Sequence, residues 1–144
     1  MSRFASLNIT FGNNLSLSAV NVIEALESVG WQINANNKVV YLPLNDDEMF
    51  NWTSSELPKE ALFNLIEEKE SKYETVGLEM YWNDLNVGMH LLEVETNKFC
   101  FTLNINRMYV DKENDIMDFN WYANKIIPCF KQFHICEYSF IYEF

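Results

Sequence analysis

Apolar residues recur along this chain with two different periods, and each change of period marks a boundary between predicted elements. A period of two, typical of a half-buried strand, is clearest in residues 7–11, 78–82 and 99–105. Apolar residues three and four positions apart predict three helices. Their predicted starts are Ser18, Pro58 and Asp118. The predicted order of elements is β-α-β-β-α-β-β-β-α-β.

The fold class predicted from this order is α+β. Strands with one apolar face favour a mostly antiparallel sheet of about six to seven strands, with three helices packed on that face as a second layer. The chain has 144 residues, 49% of them hydrophobic, which is enough for one core. Only 4 glycines and 3 prolines leave no linker-like segment, so we expect a single globular domain over residues 1–144.

The register of the central strands depends on the turn that joins them. A two-residue turn at 96–97 would place apolar residues of the two strands on opposite faces, which is costly when one face is buried. A three-residue turn at 95–97, with Asn97 left-handed, pairs Leu91 with Phe101 and Met89 with Leu103. We therefore predict the three-residue turn.

Two details of the helices follow from the same periodicity. The second helix is predicted to bury Leu62, Leu65, Ile66 and Tyr73, with the charged segment 67–72 facing solvent. Pro128 lies inside the third predicted helix and removes one backbone hydrogen bond, so we expect a kink there.

The charge balance narrows the classes of partner. There are 21 acidic and 10 basic residues, giving a net charge of −11. This charge opposes binding to nucleic acid or to anionic membranes, and it favours a basic protein partner. The first residues contain no apolar signal segment, and no apolar run is long enough to span a membrane. We expect a cytoplasmic protein.

Metal and cofactor chemistry are not predicted. Cys129, His134 and Cys136 are the most metal-like group, but their spacing is not that of zinc ligands, and both cysteines fall on apolar stripes. We interpret them as core thiols. No glycine-rich phosphate-binding motif is present.

One face of the predicted sheet carries secondary candidate residues. Glu79, Tyr81, His90 and Asn104 share the polar side of the central strands. Such a group could form a small acid–base site around His90, although a polar sheet face is more often solvated or used for contacts.

Two acidic loops are the main candidate binding residues, because binding residues concentrate on loops. The first contains Asp46, Asp47 and Glu48 and is followed by Trp52. The second contains Asp111, Glu113 and Asp115, with Trp121 nearby. Carboxylates around an aromatic side chain suit a surface that meets a basic protein, since charge steers encounter and the ring supplies buried area.

By its size, acidity, content of 4 tryptophans and lack of a catalytic constellation, the chain resembles the small immunity proteins that neutralise interbacterial toxins, often nucleases. The resemblance implies a non-catalytic bacterial protein that binds a cognate toxin stoichiometrically. Two alternatives stay open. One is a ligand-binding or regulatory domain with a cavity between sheet and helices, and the other is a small enzyme that uses His90.

Overall fold

The computed structural model describes residues 4–12, 17–34, 37–83 and 85–144. The strands are β1 Phe4–Phe11, β2 Trp31–Gln32, β3 Val39–Tyr41, β4 Thr53–Ser55, β5 Val76–Trp82, β6 Gly88–Glu95, β7 Lys98–Ile105, β8 Tyr109–Asp111, β9 Ile116–Met117 and β10 Ile135–Glu143. The helices are α1 Ala19–Val29, α2 Lys59–Ser71 and α3 Phe119–Ile126, and a 3₁₀ helix Ile127–Phe130 follows α3. The predicted α+β class and element order are confirmed, and β4, β8 and β9 are short additions.

The main sheet places β10 and β4 at its two edges. Seven strands follow the order β10-β1-β7-β6-β5-β3-β4, β2 also pairs with β5, and β8 and β9 form a separate hairpin. Every pairing is antiparallel. The last strand of the chain therefore lies beside the first and forms one edge of the sheet.

The helix boundaries follow local capping chemistry. The Ser18 side chain accepts a hydrogen bond from the Val20 amide at the start of α1, and Gly30 ends that helix with a φ of 127°. Asp118 caps α3 by accepting from the Trp121 amide. The expected disturbance at Pro128 takes the form of a change from α-helix to the 3₁₀ helix.

The core lies between the helices and one face of the sheet. Phe11 of β1 makes edge-to-face contacts with Phe99 and Phe130, at centroid distances of 5.7 Å and 5.4 Å. A second aromatic group joins Trp31, Trp82 and Trp121 where β2 and β5 meet α3. We call the opposite side of the sheet, which carries Asn8, His90 and Glu79, the open face. None of the helices in the described ranges is both long and apolar enough to span a membrane.

The burial predicted for the second helix was wrong at two positions. Tyr73 is 92% exposed, because α2 ends at Ser71 and the helical period does not reach Tyr73. Lys69, predicted to face solvent, is 1% exposed. Its position on the helix lies about one turn after Ile66 and two turns after Leu62, so its aliphatic stem continues the buried stripe.

The predicted burial of one cysteine was also wrong. Cys136 is exposed. The register between β1 and β10 shifts between Thr10 and Phe11, so the alternation that would have turned Cys136 toward the core is interrupted there.

Candidate interaction site

The first acidic loop, residues 45–52, is held in place from the end of α2. The buried Lys69 ammonium donates a hydrogen bond of 2.6 Å to the Pro43 carbonyl and lies 3.5 Å from a Glu74 carboxylate oxygen. The same Glu74 oxygen accepts from the Asn45 amide at 2.8 Å. The entry of the loop is thus fixed by a buried cation and its paired carboxylate.

Asp46 organises the interior of this loop. Its side chain is 7% exposed and accepts hydrogen bonds from the Phe50 amide at 2.8 Å and the Asn51 amide at 2.9 Å. The sequence predicted Asp46 as a partner-binding residue. The structure places its carboxylate inward, where it serves the loop's own backbone.

The backbone of the loop is strained. Asn45, Asp47, Glu48 and Phe50 all have positive φ, at 61°, 53°, 57° and 52°. This conformation is tolerated by Asn and Asp but costs about 1–2 kcal/mol for other residues. Strained backbone conformations that are maintained by surrounding contacts are typical of functional segments such as binding loops.

The loop presents two carboxylates and two large apolar side chains to solvent. Asp47 and Glu48 are exposed, and Met49 and Phe50 are 70% and 46% exposed. Trp52 points back onto the open face, where its ring lies 4.4 Å from the His90 ring. The exposed apolar anchors of this loop are therefore Met49 and Phe50, and sequence reasoning had named Trp52.

The second acidic loop is the tip of the β8–β9 hairpin. The Asp111 carboxylate accepts hydrogen bonds from the Asn114 side chain at 2.7 Å and the Asn114 amide at 3.2 Å, and these bonds lower the pKa of Asp111. Glu113 is exposed. Val110 and Ile116 flank the carboxylates and are 69% and 50% exposed. This hairpin, like the first loop, combines ionised and apolar surface.

The two acidic loops lie at opposite sides of the sheet. Asp115 accepts a hydrogen bond from the Tyr142 hydroxyl on β10, whereas the first loop joins β3 to β4. Five strand spacings separate β10 from β3, or about 24 Å across the sheet. Trp121, near the second loop in sequence, packs against Trp31 and Trp82 and anchors α3.

The secondary candidates on the open face form a hydrogen-bonded chain, with one exception. The His90 ring and the Glu79 carboxylate are joined at 2.9 Å, and the Tyr81 hydroxyl donates to the other Glu79 oxygen. The bond to His90 lowers the pKa of Glu79, and burial together with the bond to Glu79 raises the pKa of Tyr81. Asn104 stands apart, accepting from Arg107 at 2.7 Å.

A carboxyl pair that sequence reasoning missed lies beside a groove of about 680 Å³ between α1, α2 and the β6–β7 turn. Glu93 is 8% exposed and hydrogen-bonds to Glu70, and burial, followed by that bond and the charge of Glu70, raises the pKa of Glu93 to about 9. A signal was present in the sequence. The alternation that turns Met89 and Leu91 toward the core also turns Glu93 inward.

Thiol and metal chemistry find little support in the geometry. Burial raises the pKa of Cys129 to about 12, and its thiol donates to the Ile126 carbonyl at 3.0 Å. Among the described residues, no three His, Cys, Asp or Glu side chains are grouped as a metal site would require.

Protein-family models, curated proteins and solved structures contain no match to this chain.

Proposed function

We propose that the protein is a non-catalytic binding protein that associates stoichiometrically with a basic protein, in the manner of an immunity protein that neutralises a toxin. The observation that supports this best is the acidic loop at residues 45–52. Its strained backbone is fixed by Asp46, Lys69 and Glu74, and it carries Met49 and Phe50 outward between ionised side chains.

The physical argument rests on preorganisation. A loop that is already ordered before binding loses little conformational entropy when a partner docks, so more of the contact energy appears as affinity. Met49 and Phe50 supply exposed apolar surface that would be buried, and so removed from water, when a partner binds. Asp47, Glu48 and the net charge of −11 steer a basic partner toward that area.

Charge reversal in the loop is expected to slow association with the cognate partner. Basic proteins encoded by the neighbouring genes are the first partners to test. Against a partner found in this way, Asp47→Lys combined with Glu48→Lys should reduce the association rate about tenfold or more at low salt, and wild-type affinity should fall as salt is raised. Stopped-flow or surface plasmon resonance measures both effects.

The matched control is Glu67→Lys combined with Glu68→Lys, which makes the same charge change on the exposed face of α2. An equal loss of rate in both double variants would mean that net charge alone is responsible. Affinity that does not respond to salt would contradict the proposal.

The Tyr81–Glu79–His90 chain favours a second candidate function, acid–base catalysis on the open face. His90→Gln distinguishes the two. If the protein acts only by binding, toxin neutralisation in a growth or nuclease assay should remain within about twofold of wild type, because His90 lies on the open face behind Trp52 and not among the exposed loop side chains. Abolished function with unchanged partner affinity would support catalysis instead.

A further inference from the structure

Strand β10 is a long sheet edge whose regular part carries no lysine, proline or bulge. It has 9 residues, pairs with β1 on one side, and stands at the end of the strand order, with no strand on its other side within the described part of the chain. From Glu137 to Glu143 its pairing with β1 is regular. Natural edges are commonly blunted by lysine, proline, shortness or a β-bulge. β10 has none of the first three, and its register shift lies at its start, before Glu137. The opposite edge, β4, has only 3 residues.

Apolar side chains are exposed along the same edge. Tyr138 and Ile141 are 52% and 41% exposed, and Phe144 just beyond the strand is 76% exposed. Glu137 and Ile141 pair with Thr10 and Ser6, so their side chains lie on the open face. A strand added at this edge would cover Ile141 on one face and Tyr138 on the other.

The charges around the edge are predominantly negative. Both charged residues of β10 are glutamates, Glu137 and Glu143. The acidic hairpin lies beside the strand through the bond between Tyr142 and Asp115, and it adds Asp111 and Glu113. Within the described residues, the hairpin and the segment leading into it contain two cations, Lys112 and Arg107, and the Arg107 guanidinium lies 5.7 Å from the centre of the Tyr142 ring. In the described residues of β10 and the hairpin, carboxylates therefore outnumber cations.

We propose that an extended, lysine- or arginine-rich segment of the partner protein adds to β10 as a further antiparallel or parallel strand. Backbone hydrogen bonds to β10 supply affinity. Ile141 and Tyr138 each contact the side chains that the added strand turns to their own face of the sheet, and the hairpin carboxylates and Glu137 receive its basic side chains. This assignment rests on the proposed function, because it specifies how a basic partner is held. It also gives a role to Asp111, Glu113 and Asp115 that is independent of the loop at residues 45–52.

The test uses a synthetic peptide of alternating lysine and valine, about ten residues long to match β10. A second peptide has the same side chains but every backbone amide methylated, which preserves charge and removes the N–H donors on both edges of the strand. The unmethylated peptide should bind at least about tenfold more tightly to the full-length protein by calorimetry. Binding of this peptide should shift the backbone amide NMR signals of the protein mainly at residues 136–141.

Variants of the edge test the same contact. Ile141→Lys or, as a second variant, Glu137→Lys should weaken binding of the unmethylated peptide about tenfold. The control Val94→Lys, exposed on β6 away from the edge, should leave this binding unchanged.

The outcomes separate this inference from the function on which it rests. Equal binding of both peptides, or shifts confined to residues 45–52, would overturn strand addition while leaving charge-driven binding intact. Binding of neither peptide would also overturn strand addition, and the proposed function would then be decided by the charge-reversal experiment with the cognate partner. Thermal unfolding of each variant confirms that the edge substitutions leave the fold in place.

Discussion

Glu93→Gln is expected to make the protein more stable than wild type at pH 8. The wild type is expected to lose stability as the pH rises from about 5 to about 9, and the variant should lack most of this loss. The pKa of Glu93 is raised from an ordinary value of 4.5 to about 9, chiefly by burial and then by the adjacent Glu70. Between these two values the folded protein binds more protons than the unfolded chain, so stability falls as pH rises. The slope for one such group is at most about 1.4 kcal/mol per pH unit.

The position of the carboxyl pair explains why its charge state affects the fold. Glu70 accepts hydrogen bonds from the Ser18 hydroxyl at 2.8 Å and the Ala19 amide at 2.9 Å, which fixes the start of α1. A protonated Glu93 donates to Glu70 and leaves these bonds intact. An ionised Glu93 places a second negative charge against Glu70 in a partly desolvated site, and the start of α1 is the part we expect to loosen.

Urea unfolding measured from pH 5 to pH 9 tests this directly. Glutamine keeps an N–H donor for Glu70 and does not titrate, so the variant should gain about 1–3 kcal/mol over wild type at pH 8 and little at pH 5. Glu95→Gln, on an exposed neighbouring side chain, is the matched control and should follow the wild type. Parallel stability curves for wild type and Glu93→Gln would show that the carboxyl stays ionised in the folded protein.

The alignment of the central strands could be predicted from sequence, while the turn that produces it could not. Leu91 pairs with Phe101, as the burial argument required, whereas the predicted pair of Met89 with Leu103 falls at a register shift between Gly88 and His90. The predicted three-residue turn was wrong. Glu95 pairs with Lys98 around a two-residue turn, and a register shift between Glu93 and Glu95 restores the alignment. A bulge and a longer turn have the same effect on which face each residue occupies, so periodicity cannot distinguish them.

Asn97 illustrates how a local prediction can miss a long-range role. Its left-handed φ of 63° is confirmed. Its side chain also accepts from the Leu17 amide at 2.9 Å and donates to the Gly12 carbonyl at 3.0 Å, which ties the turn to the segment before α1. Neither partner is near Asn97 in sequence, so turn propensity alone could not reveal these bonds.

The candidate site was predicted at the level of segments and only partly at the level of side chains. Asp46 and Asp47 are adjacent and chemically identical, yet Asp46 bonds to its own loop and Asp47 faces solvent. The difference comes from the left-handed residues of the loop, which no hydrophobic period specifies. Lys69 was misplaced for a related reason, since its partner is the Pro43 carbonyl on a separate loop.

Trp31→Ala is expected to cause the largest loss of stability among these variants, about 3–5 kcal/mol. Trp31 is 1% exposed, and its ring makes edge-to-face contacts with Trp82 at 5.4 Å and Trp121 at 6.2 Å. Its indole N–H also donates to the Lys125 carbonyl at 2.9 Å, near the end of α3. Removing the ring therefore leaves a cavity and an unpaired carbonyl at the point where three elements meet.

Two further variants separate the contributions at this position. Trp31→Phe keeps much of the buried area but loses the hydrogen bond, so it should cost about 1–2 kcal/mol. Trp52→Ala removes a half-buried ring from the acidic loop and should cost less than Trp31→Ala, because that ring touches the open face and not the core. If Trp52→Ala destabilised the protein as much as Trp31→Ala in urea unfolding, the open face would be packed as tightly as the core. The loop at residues 45–52 would then be a structural layer of the domain, and its exposed side chains would no longer suffice as an argument for partner binding.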